Sequence, residues 1–242
     1  MRVLTIGNSF SEDATRYLAQ IARADGVQLE VVNVCIGGCP LERHYMNMLG
    51  NKKEYMLQIN GFHTGFVVSL EEALLSRKWD VITLQQVSHY SPKKETYYPY
   101  VTELTAYIRK LQPEAKLLFH ETWGYEDGSH RLTVELGYKS RKDMLADVKA
   151  SYKEVAEAEK FDGVIPSGTL LDKMLDEGIE KVHRDTFHAS LGLGRYALGL
   201  LWFRMLTGMS VMNNSFCELD IPANDKEIAI AKSCVDSFLP LF

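Results

Sequence analysis

Three side chains near opposite ends of the chain have the types and spacing for nucleophilic catalysis. Ser9 lies in Gly7-Asn8-Ser9-Phe10-Ser11, and Asp185 and His188 lie in Arg184-Asp185-Thr186-Phe187-His188. A serine hydroxyl is a poor nucleophile until a base takes its proton, and an imidazole steadied by a carboxylate is such a base. The three-residue spacing lets Asp185 reach one ring nitrogen of His188 across a single turn, which leaves the other nitrogen free to face a serine. Each piece also has a plainer reading. Serine is a favoured helix N-cap, which accounts for Ser11 and competes at Ser9. An Asp three residues before a His also arises as a capping acid ahead of a first helical turn.

The elements around them must supply the geometry. Short β-rich runs at Arg2–Ile6, Leu29–Cys35, Val81–Leu84, Lys116–His120 and Gly163–Ile165 alternate with longer segments of helical period. Tyr97, Val101, Leu104, Ile108 and Leu111 share one stripe. Met144, Leu145, Val148, Tyr152, Val155 and Ala156 share another, and Leu191, Leu198, Leu201, Trp202 and Met205 a third. Strands alternating with such helices imply βαβ units and a parallel sheet covered on both faces. The expected class is therefore α/β: a single domain over residues 1–242, a three-layer α/β/α sandwich around a central, mostly parallel five-stranded sheet. Glu54–Ile59, Asn60-Gly61 and Phe62–Val68 read as a β-hairpin, because Asn-Gly suits the positive φ of a type I′ turn. It is expected as part of an excursion from the sheet over residues 42–68. Ligands in such sheets sit beyond the carboxyl ends of the strands. A serine there, at a helix mouth, has free N–H groups and the positive helix end beside it, suited to a developing oxyanion.

A strand-terminal G-N-S within the first ten residues, with D-x-x-H near the far end, resembles the SGNH (GDSL-like) hydrolase superfamily and its flavodoxin-like architecture. The resemblance implies Ser9 as nucleophile, Asp185 as orienting acid and His188 as general base, with Asn8 where the family has an acidic residue. A second family block, a glycine after the second strand, is met by Ile36-Gly37-Gly38-Cys39-Pro40; Gly38 is the expected oxyanion donor, with Gly37 close behind. The third block, Gly-x-Asn-Asp, is missing: Val81–Leu84 runs into Gln85-Gln86-Val87-Ser88-His89. A glutamine carboxamide carries the same N–H donor one methylene further out. The expected oxyanion hole is thus Ser9, Gly38 and Gln85 or Gln86. The blocks GNSFSED, GGCPLERH, WDVITLQQVSH, HETWGY and DTFHASLGLGRY extend the likeness from Met1 to about Phe203, to a branch of the superfamily known as a domain of unknown function.

What the resemblance implies is ester hydrolysis through an acyl-enzyme, without a cofactor. Small O-acyl groups on a carbohydrate or other small polar substrate are expected, since no long apolar lid segment is visible to shelter a fatty chain. His44, His89 and Trp123 are the expected substrate-binding residues. Two other classes compete: an SGNH-fold glycan-binding protein with a silent triad, which the missing third block favours, and a metal-dependent hydrolase. No pair among the seven histidines has the i, i+4 spacing of a zinc helix, so no metal site is expected. Glu121 and Glu126 could form a glycosidase-type carboxylate pair, although solvated loop acids are the plainer reading. Gly192-x-Gly194 lacks the preceding strand of a nucleotide fingerprint and reads as a site of close helix packing.

Composition narrows the rest. The 242 residues are 46% apolar, enough for a large core, and 24% charged, which excludes wholesale disorder. With 27 basic against 32 acidic residues, a formal charge of −5 and no basic stripe, nucleic acid and anionic lipid are not expected partners. No apolar run approaches the ~20 residues that span a bilayer. MRVLTIGNSF lacks the form of a secretory signal, so a cytoplasmic location is expected, though a chain trimmed of its leader would begin the same way. Cys35, Cys39, Cys217 and Cys234 read as buried thiols rather than a disulfide framework. Oligomeric state is not indicated.

Overall fold

The computed structural model describes residues 1–241. Its strands are β1 (Arg2–Gly7), β2 (Glu30–Cys35), β3 (Tyr55–Ile59), β4 (Phe62–Val68), β5 (Val81–Leu84), β6 (Lys116–His120) and β7 (Gly163–Ile165). They form one sheet in the order β4-β3-β2-β1-β5-β6-β7. The pairs β2–β1, β1–β5, β5–β6 and β6–β7 are parallel. Apart from the partly buried β7, their interiors are buried on both faces and mostly apolar, with Thr5, Asn33 and Thr83 the buried polar exceptions, as a sheet sandwiched between helices requires.

The sheet has seven strands, not five. The hairpin is an extension of it rather than an excursion: β3 pairs antiparallel with β2, Val32 opposite Ile59 and Cys35 opposite Met56, and so occupies an edge that five parallel strands would leave open. Asn60 and Gly61 both have positive φ, 52° and 82°, as their turn demands. The turn is also pressed onto the Arg16 carbonyl, which a Cβ on Gly61 would meet at 2.0 Å.

The helices are α1 (Ser9–Thr15), α2 (Leu18–Ala24), α3 (Leu41–Leu49), α4 (Leu70–Leu75), α5 (Tyr100–Leu111), α6 (Arg141–Ala158), α7 (Ser167–Asp176), α8 (Leu193–Thr207) and α9 (Asp225–Asp236). On one face α1, α2, α7 and α9 surround α8; on the other α3, α4 and α5 pack together. The single stripe expected for the segment around α8 is replaced by burial on nearly every side, because α8 is the centre of its layer. Gly192 and Gly194 do serve close packing: a Cβ would meet the Ile221 carbonyl at 2.0 Å and the Val182 carbonyl at 2.8 Å. Cys35, Cys39 and Cys234 are buried, whereas Cys217, in the connection after α8, is exposed. No helix among the described residues is long and apolar enough to cross a membrane.

The topology dictates where a ligand belongs. The chain steps from β1 to β2 on one side and reaches β5 on the other, so strand order reverses between β1 and β5, and the crevice opens beyond their carboxyl ends. Ser9 follows β1, and the segment from Gln85 to Ser91 follows β5.

Candidate active site

Gly7 ends β1 because the chain closes on itself there: a Cβ would strike Ser11 Oγ at 2.6 Å and the Gln85 side chain at 3.0 Å. Asn8, not Ser9, caps α1, its Oδ1 accepting the Phe10 amide at 3.0 Å. That shift of one residue leaves the Ser9 hydroxyl free of the cap. Ser9 stands at the first helical position, and Ser9 Oγ lies 2.8 Å from His188 Nε2. Ser11 is structural, its hydroxyl donating to the Asn8 carbonyl and to Asn33 Oδ1.

The opposite ring nitrogen, His188 Nδ1, lies 2.8 Å from Asp185 Oδ2. In the neutral tautomer Nδ1–H donates to the carboxylate and Nε2 accepts the serine proton. Asp185 Oδ1 also accepts the amides of Phe187 and His188 at 2.9 and 2.8 Å. Partial burial works against its charge, but those two amides and the imidazole hold the carboxyl at about 2. The Asp-x-x-His segment is not a first helical turn. It is a loop ahead of α8, pinched shut by Arg184 N to His188 O (3.0 Å) and Ser190 N to Val182 O (2.7 Å).

Side chains fasten that loop to α1. Asp13, fully buried, accepts Arg184 Nη1 at 2.8 and 2.9 Å, Arg195 Nε at 2.8 Å and the Ala189 amide at 3.1 Å. Trp123 Nε1 donates to the Phe187 carbonyl at 2.7 Å, and its ring stacks on Phe10 with centroids 3.9 Å apart. Trp123 is only 1% exposed, so the expected substrate contact becomes a buried prop beneath the histidine loop.

Beside Ser9 lies a cavity of about 170 Å³ lined by Asn8, Ser9, Gly38, Ser88, His89, Tyr125, Arg131, Phe187 and His188, with Phe10 and Val87. Gly38 has φ +61°, a left-handed conformation that suits glycine. Gly37 stands outside the cavity. Among the described residues, neither the Ser9 nor the Gly38 amide is spent on a hydrogen bond within the protein. Asn8 links the two segments: besides capping α1, its Nδ2 donates to the Cys39 carbonyl at 3.1 Å, one residue past Gly38. An aspartate here could not make that bond.

The two glutamines are a correction. Gln85 donates from Nε2 to Asn8 Oδ1 at 2.7 Å and accepts His120 Nδ1–H at 2.8 Å, while His120 Nε2 accepts Ser167 Oγ–H at 3.0 Å. Burial holds His120 neutral, its pKa pushed down to about 3. Gln86 Oε1 accepts the amides of Leu41 and Val87, and its Nε2 donates to Thr96. Both carboxamides are occupied at both ends and neither lines the cavity. His44 is a second correction. It is 0% exposed, with Nδ1 3.0 Å from the Tyr55 hydroxyl, because α3 turns it into the core. His89 does line the cavity. Glu121 is buried against the Thr169 amide and hydroxyl, its carboxyl pushed up to about 7 by burial, whereas Glu126 meets Lys181 at the surface. Among the described residues no three His, Cys, Asp or Glu side chains gather into a set that could hold a metal ion.

Arg131 and Phe187 were missed as cavity residues in the sequence. Arg131 opens a single π-helical turn, Arg131–Glu135, in a segment without strand or helix periodicity, and nothing in its neighbours' types signals the site.

A family described as Domain of unknown function (DUF4886) matches residues 2–236. Among solved structures, a DUF4886 family protein from Bacteroides uniformis is 30% identical, covering 98% of this chain and 93% of its own, with a TM-score of 0.88. A protein from Slackia heliotrinireducens assigned to the SGNH hydrolases is 21% identical over 84% of this chain and 97% of its own, TM-score 0.61. An acetyl xylan esterase from Geobacillus stearothermophilus is 16% identical over 84% and 93%, TM-score 0.53. None of the curated proteins matches this sequence.

Proposed function

We propose that this chain, which belongs to the DUF4886 family and has the fold of the SGNH hydrolases, is a serine hydrolase of small O-acyl esters. What supports it is one observation: an unbroken hydrogen-bond chain from Ser9 Oγ through the His188 ring to Asp185, with 2.8 Å at each link, opening on a cavity beyond the sheet's switch point. His188 Nε2 takes the Ser9 proton as Oγ attacks the ester carbonyl, and Asp185 stabilises the imidazolium. The carbonyl oxygen, now negative, is met by the Ser9 and Gly38 amides. His188 then returns the proton to the leaving alcohol, and a water it deprotonates frees the acyl group.

At about 170 Å³ the cavity is smaller than the roughly 300–1,000 Å³ of sites that engulf drug-sized ligands, which favours a small acyl group. A carbohydrate alcohol is the proposed leaving group, in keeping with the acetyl xylan esterase of like fold. One observation favours a second reading, a glycan-binding protein without turnover: no carboxamide is free to complete the oxyanion site, and losing one such donor costs about 3–4 kcal/mol of transition-state stabilisation. Hydrolysis of p-nitrophenyl acetate separates the two. The wild type is expected to turn over and S9A not to, with EDTA leaving the rate alone; equal rates for wild type and S9A would remove Ser9 from the chemistry.

A further inference from the structure

The cavity beside Ser9 holds one charge that the proposed mechanism leaves unused. The Arg131 guanidinium carbon sits 4.0 Å from the centre of the Phe187 ring and 6.0 Å from that of Tyr125. Phe187 in turn lies against His188, ring centroids 3.9 Å apart. Leu132, fully buried, anchors the π-helical turn that carries Arg131, so the cation is laid across the wall next to the histidine.

No group at the cavity satisfies this charge. Among the described residues the Arg131 side chain donates no hydrogen bond; its one ionic neighbour is Glu135, with Nε to Oε2 at 3.6 Å, and both side chains are well exposed. Such a surface pair is weak, and it leaves both Nη groups available. Asp185, the nearby acid, has its oxygens committed to His188 and to two amides. His89 is pushed below the ordinary imidazole range by burial, with Arg131 and Lys93 adding to the effect. Arg131 is therefore the one permanently charged side chain among the residues that line the cavity. A guanidinium fork stacked on an aromatic ring is a preorganised receptor for a planar carboxylate.

We infer that Arg131 forms an anion subsite and that the substrate ester carries a carboxylate. This rests on the Ser9-centred reading above for where the ester lies. The carboxylate can belong to the acyl group, as in a hemisuccinate, or to the alcohol, as in an acetylated uronic acid.

Matched pairs test it. One compares p-nitrophenyl hydrogen succinate with p-nitrophenyl acetate, the other O-acetyl glucuronate with O-acetyl glucose. In at least one pair the wild type is expected to favour the anionic member by about 10- to 100-fold in kcat/KM, the range of a charge-assisted hydrogen bond. That ratio should shrink with added salt and collapse towards one in R131Q, with R131K keeping part of it. A wild-type ratio near one in both pairs, or a preference that R131Q leaves intact, overturns the subsite. If neither member of any pair is hydrolysed, the Ser9 reading fails. The subsite is then decided by calorimetric titration of succinate and glucuronate into wild type and R131Q. Binding lost in R131Q upholds it, and binding of neither, or equal binding to both proteins, overturns it.

Discussion

On the serine side of the Ser9–His188 contact the backbone is regular: a buried parallel strand, a capped turn and a helix set Oγ. On the histidine side there is a loop closed by two backbone bonds and fastened by side chains, chiefly Asp13, Arg184, Arg195 and Trp123. The two halves differ in how their errors propagate. A serine on a strand end inherits the precision of the sheet, so disturbing one polar neighbour shifts it little. A histidine on a tethered loop depends on a few bonds, so each is worth more to geometry. If that contrast holds, equal polar deletions on the two sides have unequal consequences.

The largest effect is expected at the histidine itself. D185N keeps the shape but loses the carboxylate that fixes the His188 tautomer, and kcat on p-nitrophenyl acetate should fall roughly 10⁴-fold, the scale seen when a triad acid is neutralised. A loss under tenfold would mean that the loop holds the ring without its acid. Next comes D13N, which takes from Arg184 its acid partner and leaves Arg195 only its longer pairs with Asp220 and Glu12; breaking such a buried network costs about 3–5 kcal/mol. Calorimetry should show a melting temperature lower by about 10 °C, on the scaling for chains of this size. Because the tether is on the histidine side, kcat should fall more than KM rises. An N8D variant probes the serine side: it keeps the cap but loses the bond to the Cys39 carbonyl, at a cost of about 1–2 kcal/mol. A destabilisation by N8D larger than that by D13N would reverse the comparison.

The smallest effect is a pH dependence. The Asp185 carboxyl is held at about 2 against an ordinary 3.8, so its contribution to stability is complete above about pH 4 and is lost as pH falls through about 2. The gap in melting temperature between wild type and D185N should therefore narrow on acidification through that window. A constant gap would mean that the carboxylate does not tether the loop.

The same contrast explains what the sequence revealed. Ser9 was legible because strand, Gly7 and helix onset are local signals, and Asp185 and His188 because they are three residues apart. The tethers were not: Asp13 and Arg184 are 171 positions apart, and nothing in their types distinguishes them from solvated charges. His44 and Trp123 were misplaced because loop aromatics and histidines look alike in sequence whether they face the cavity or the core. The glutamines after β5 match the family's donor in chemistry, and only the structure reveals Asn8, His120, Leu41 and Thr96 as their partners. The hairpin was visible from Asn60-Gly61, but its docking on β2 depends on an edge that local pattern does not describe.

The proposed nucleophile can be trapped directly. Incubation with an alkyl fluorophosphonate, followed by intact-mass and peptide mass spectrometry, should give one adduct per chain on Ser9 in the wild type, with none in S9A and a greatly slowed reaction in H188A. An unmodified wild type, or an adduct on another residue, would contradict the account at its centre.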